Sequence, residues 1–61
     1  MKVGDTVIVI ADDTPGRNTL LRIGIICAFY MGLTKKAVAV RFGENDIYKF
    51  WEEELMVLNA S

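Results

Sequence analysis

Apolar residues in this chain come in short runs, and a glycine or a cluster of Asp and Asn closes nearly every one. That punctuation constrains the fold more than any other feature. A strand needs only about four to eight residues, whereas a stable helix needs roughly ten or more without interruption. Gly4-Asp5 turns the chain into a first strand over residues 6–11, rich in β-branched side chains. Asp12-Asp13-Thr14-Pro15-Gly16-Arg17-Asn18-Thr19 holds most of the turn-forming residue types, and residues 12–22 form one long loop. Further strands follow over 23–30, 37–42 and 47–50, joined by a hairpin connection centred on Gly32 and by Gly43-Glu44-Asn45-Asp46. Trp51 to Glu54 forms a single 3-10 turn, and a fifth strand over 55–58 precedes a frayed Asn59-Ala60-Ser61. The competing assignment is a helix over 50–58, but so short a helix without a proper cap is marginal in water.

Side chains alternate across a strand, so Val38, Val40 and Phe42 share one face and Ala37, Ala39 and Arg41 the other. The larger set is the core face. Phe50, Leu55 and Leu58 complete that core, and Gly24 marks a point where the strand bends or another backbone comes close. With Val7 and Val9 inward, Ile8 and Ile10 face out. With Ile23 and Ile26 inward, Ile25 faces out. Val57, between core-directed Met56 and Leu58, occupies a slot where a charged residue is more usual.

The set Gly4-Asp5-Thr6-Val7, Ile23-Gly24-Ile25-Ile26, Val38-Ala39-Val40-Arg41-Phe42 and Phe50-Trp51-Glu52-Glu53-Glu54-Leu55 resembles small SH3-like barrels. It resembles in particular the photosystem I reaction-centre subunit IV family; KOW-type domains and the variable chain of ferredoxin–thioredoxin reductase are similar more distantly. The likeness covers about residues 3–11 and 23–58 and leaves the long loop unmatched. It implies an all-β, five-stranded SH3-like barrel and a non-catalytic subunit, without cofactor, that helps hold a larger complex together. No electron-transfer role carries over, because the loop residues that would contact partners have no match. In such a barrel strand one lies between strands two and five, which makes Ile8, Ile25 and Val57 one contiguous apolar patch. Patches above a few hundred Å² mark interaction sites, whereas a one-residue register slip would turn the same side chains inward.

The 61 residues make one domain, short enough that a partner or self-association often supplements stability. Seven basic against eight acidic residues give a net charge of −1, without the electropositive footprint of most nucleic-acid binders. A KOW-like mode remains the alternative: Arg17, Arg22, Lys35, Lys36, Arg41 and Lys49 would contact phosphates while Tyr30 or Tyr48 stacks on bases. Tyr48 and Trp51 are the aromatic candidates for a protein contact. Glu52-Glu53-Glu54 reads as a solvated turn.

Catalysis has no foothold. The chain has no histidine, the usual general base near neutral pH. Its one cysteine, Cys27, lies mid-strand in an apolar run and reads as a buried, inert thiol. Asp12-Asp13 falls far short of a calcium ligand set, and the dispersed glycines form no phosphate loop. A lone cysteine fits a reducing compartment. After Met1-Lys2 the chain goes straight to the Gly4-Asp5 turn without an apolar leader, and no apolar stretch approaches the ~20 residues of a membrane-spanning helix. The expectation is therefore a cytoplasmic accessory module with no metal, no cofactor and no membrane insertion. Its partner is a protein or larger complex, or a second copy held through an apolar outer face. The expected contact residues are Ile8, Ile25, Val57, Arg17, Arg22, Tyr48 and Trp51.

Overall fold

A computed structural model describes residues 1–59, apart from the side chain of Asn59. It is all-β. The strands are β1 (Thr6–Val9), β2 (Ile23–Met31), β3 (Lys36–Arg41), β4 (Ile47–Trp51) and β5 (Leu55–Asn59), with a 3-10 turn over Glu52–Glu54. They form one antiparallel sheet in the order β4-β3-β2-β1-β5. β1 stops at Val9, two residues earlier than its sequence suggests, because Ile10 and Ala11 turn their N–H groups to the Glu54 carbonyl at 2.8 and 3.3 Å. Asn59, expected to fray, belongs to β5 instead, and Ala60 and Ser61 fall outside the described residues.

A single sheet can bury apolar side chains only by curling over one face, and that face holds Val7, Val9, Ile26, Val38, Val40, Phe50 and Leu55. Each such side chain contributes about 1.5–3 kcal/mol by leaving water, before the entropy of ordering is subtracted. Phe29, Phe42, Tyr48 and Val57 pack against this set from its margins. Gly24 is the close approach its sequence position suggested. A Cβ there would lie 2.6 Å from Val40 Cγ1 and 2.8 Å from the Arg41 carbonyl oxygen.

Two register shifts decide which residues face out. In β2, Ile26 is opposite Val40 but Ala28 is opposite Ala39, so Cys27 is the extra residue of a bulge. The bulge changes the phase of the strand and lets both Ile26 and Phe29 face the core. It also leaves Cys27 exposed, its thiol donating to the Ala39 carbonyl at 3.5 Å; the expectation of a buried thiol is corrected. In β5, Val7 is opposite Val57 but Thr6 is opposite Asn59, so Leu58 is the extra residue.

The sidedness expected for β5 is also corrected. Leu55 is buried, strict alternation carries Val57 inward with it, and Met56 and Leu58 face solvent. Ile23 faces solvent as well, being the cross-strand partner of outward Ile8.

Candidate functional site

The outer face of β1, β2 and β5 carries the features that a core does not need. Ile8 lies directly between Ile23 on β2 and Met56 on β5, and Thr6 pairs with Ile25 in the next row. Cross-strand partners on one face touch, so Ile23, Ile8 and Met56 make an unbroken apolar row beside Ile25 and Leu58. Ile23, Ile25, Met56 and Leu58 remain 57, 44, 50 and 48% exposed. Ile8 is half-buried at their centre. The sequence placed Ile8 and Ile25 here and missed Ile23, Met56 and Leu58. Alternation counted from Leu55, itself expected inward, was the signal that could have found the last two.

The two edges of the sheet do not pair with each other among the described residues, and the long loop closes the gap between them. Pro15-Gly16 and the left-handed Asn18 and Leu21 (φ of 79, 53 and 66° for Gly16, Asn18 and Leu21) fold the loop back on itself. Asp12 organises it. Its carboxylate accepts from the Thr14 N–H at 3.0 Å, from Arg17 Nε at 3.1 Å and Nη2 at 2.7 Å, and from the Thr19 hydroxyl. The Arg17 guanidinium, then the Thr19 hydroxyl, hold this carboxyl well below the usual carboxylate range.

Arg17 in turn spans the inner face. Its Nη1 donates to the Lys49 carbonyl at 2.7 Å, and its guanidinium lies 4.3 Å from the Phe50 ring centroid. Arg22 covers Phe42 in the same way at 4.5 Å. Both arginines, expected as partner contacts, are half-buried and lie over core-side rings. Tyr48 also faces inward, tilted against Phe42 at 6.0 Å between ring centroids. Val57, as above, is a core-side residue. Of the seven residues singled out from sequence, Ile8, Ile25 and Trp51 remain on the outer surface.

Glu54 is a second departure from the expected solvated turn. It is only 4% exposed, and its carboxylate accepts from the Trp51 N–H at 2.8 Å and from the Asp13 N–H at 3.1 Å. It therefore fastens the loop to the junction of β4 and β5. Glu52 and Glu53 do stay at the surface, facing Lys36 at 3.8 Å and Lys35 at 2.9 Å.

These four charged residues, with Thr34 and Trp51, line a shallow cleft of about 250 Å³. Lys35 Nζ lies 5.2 Å from the Trp51 ring centroid, and the Glu53 carboxylate beside it raises the lysine's pKa. Pairing within the cleft leaves little net charge to attract a charged ligand. Such exposed pairs contribute little to stability.

Comparison with protein-family models, with curated proteins and with solved structures finds no match for this chain. No helix among the described residues is long and apolar enough to cross a membrane.

Proposed function

We propose that this chain is a non-catalytic docking module of a larger protein assembly, and that its partner sits on the outer face of β1, β2 and β5. The observation that carries this reading is the row Ile23–Ile8–Met56 with Ile25 and Leu58 beside it. A solvent-facing sheet surface alternates to polar residues unless something covers it. Thr6 is the only polar member of these two rows on β1 and β2. The resemblance to small SH3-like barrels, and to subunit IV of photosystem I in particular, supports the same class of role in a cytoplasmic accessory subunit.

The test is capture of a partner from the native source by the wild type and by Ile8→Lys and Ile25→Lys, each checked for folding by circular dichroism. The expected result is loss of the partner with both variants and binding that survives raised salt. Equal capture by all three refutes the outer face as the contact.

A second reading is favoured by one local feature. At the far end of β2, β3 and β4 exposed lysines lie on aromatic rings: Lys49 over Tyr30 at 4.4 Å and Lys35 over Trp51 at 5.2 Å. A KOW-like nucleic-acid binder would use such a cluster, with stacking rings and phosphate contacts side by side. It ranks second because Glu52 and Glu53 pair with Lys36 and Lys35, and because Arg17 and Arg22 are already engaged. Binding to generic RNA that weakens steeply with salt would raise it to first.

A further inference from the structure

The two free edges of the sheet are treated differently. On β4, the Lys49 carbonyl and the Trp51 N–H face away from β3, and both are occupied, by Arg17 at 2.7 Å and by the Glu54 carboxylate at 2.8 Å. The long loop and the 3-10 turn thus blunt that edge. β5 has no such cover among the described residues. Val9 directs its N–H to the Arg22 carbonyl and accepts from the Leu21 N–H, so its backbone faces away from β5. Hydrogen-bonded and non-bonded pairs alternate along an antiparallel ladder. The pair Ile8–Met56 is then the bonded one, and Val7–Val57 is not. Val57 therefore presents its N–H and C=O outward along the open edge, where neither has a partner among the described residues. The neighbouring Leu55 N–H is taken by the Glu52 carbonyl.

We propose that β5 pairs antiparallel with β5 of a second copy of the chain, across a two-fold axis through Val57. On that axis each Val57 N–H donates to the Val57 carbonyl of the second copy. Met56 then lies opposite Leu58 of the second copy on the outer face, and Leu58 opposite Met56, so the apolar strand is its own complement. Edge strands of monomers usually carry a lysine, another charge or a proline against this kind of pairing; Leu55-Met56-Val57-Leu58-Asn59 has none.

Self-complementarity fixes the direction, since Met56 meets Leu58 only when the two strands run antiparallel. An antiparallel two-fold keeps the Glu52–Glu54 turns of the two copies at opposite ends, roughly 20 Å apart and beyond a Debye length. A parallel arrangement would bring them together. A head-to-tail contact of β5 on β4 would need the blunted edge.

The extra residue at Leu58 confines regular pairing to a short stretch, and the area removed from water is on the order of 600–800 Å² in total, below a standard interface. The dimer is accordingly weak, forming at roughly 100 μM. The edge carries this inference, independently of the docking face at Ile8 and Ile25.

The experiment is sedimentation of the full chain from about 10 μM to 1 mM, with amide exchange of Val57 followed by NMR at both ends of that range. Expected are a monomer–dimer equilibrium and a Val57 amide whose protection rises about fourfold over that range, as the monomer falls from about 85% to about 20% of the chain. Met56→Lys/Leu58→Lys sets like charges opposite each other and weakens the dimer about tenfold or more, whereas Met56→Lys/Leu58→Glu sets opposite charges there and restores it. Ile25→Lys leaves the dimer intact while abolishing capture of the docking partner, so the two readings fail separately. A strict monomer at 1 mM overturns the proposal, as does a dimer with an unprotected Val57 amide. So does an edge protected only when an extended peptide of another sequence is added. The wild-type exchange measurement holds even where a variant fails to fold.

Discussion

A Glu54→Ala substitution deletes the carboxylate that joins the long loop to the junction of β4 and β5. Two backbone N–H groups lose their acceptor, those of Trp51 at 2.8 Å and Asp13 at 3.1 Å. A hydrogen bond to a charged acceptor is worth about 1.5–3 kcal/mol net, and water can replace the carboxylate at exposed Asp13 more readily than beneath the turn. The combined loss is about 2–4 kcal/mol. A domain of 61 residues has roughly 3–9 kcal/mol of stability in all, so the variant sits near the threshold of folding. At about 4–8 °C per kcal/mol, its melting temperature falls by roughly 10–25 °C.

Urea unfolding followed by far-UV circular dichroism measures this directly. Glu54→Gln is the informative companion. Its amide keeps one acceptor oxygen but turns an NH₂ toward the other donor, so it loses about half as much. Glu53→Ala, at an exposed position in the same acidic run, changes stability by less than about 0.5 kcal/mol. Equal stability of Glu54→Ala and Glu53→Ala would refute the reasoning, for Glu54 would then be the solvated turn residue that its sequence suggests.

Gly24→Ala places a methyl group 2.8 Å from a backbone oxygen that cannot rotate away, and overpacking of this kind costs about 1–3 kcal/mol by the same unfolding assay. Asp12 gives stability an acid dependence. Its carboxyl is depressed in the folded chain, chiefly by Arg17, so the stability it contributes is full above the unfolded carboxylate pKa of about 4 and drains away as pH falls toward the lower folded value. Asp12→Asn removes that component, and its stability between pH 5 and 2 declines more shallowly than that of the wild type, as read by denaturant midpoints at each pH.

Local alternation was enough to read much of the fold. Val38 and Val40 inward, Val7 and Val9 inward, the turn at Gly32 and the 3-10 turn before β5 all follow from neighbouring residues whose spacing expresses the pleat. What was not legible depends on contacts distant in sequence. Nothing near Cys27 announces a bulge, because the bulge exists to bring Phe29 into register with Val38 on another strand. Glu54 reads as one of three equivalent acids until the loop 41 residues away supplies a donor. Arg17 and Arg22 read as loop cations for a ligand, yet the curled sheet has an unpaired gap over Phe50 and Phe42, and a guanidinium on a long apolar stem is suited to cover an aromatic face. The loop was recognised as a loop; the placement of its two arginines over Phe50 and Phe42 was not.

The placement of the docking face turns on β5, and two single substitutions decide it. If Val57 faced out and Met56 in, a lysine at 57 would be harmless and one at 56 disruptive. The ladder assigns the reverse: Val57 is opposite core residue Val7, and Met56 is opposite outward Ile8. Val57→Lys must therefore draw a charged group toward Val7 and Leu55 or pull β5 off the sheet, at a cost of about 1–3 kcal/mol. Met56→Lys keeps its ammonium in water, lays its stem along Ile8, and changes stability by less than about 0.5 kcal/mol. The same Met56→Lys variant nonetheless interrupts the row Ile23–Ile8–Met56 and abolishes partner capture. A folded Met56→Lys protein that has lost its partner, beside a destabilised Val57→Lys protein, is the pattern that only this register produces. The opposite pattern would move the apolar face off β5 and leave Ile23, Ile8 and Ile25 as a smaller patch on β1 and β2 alone.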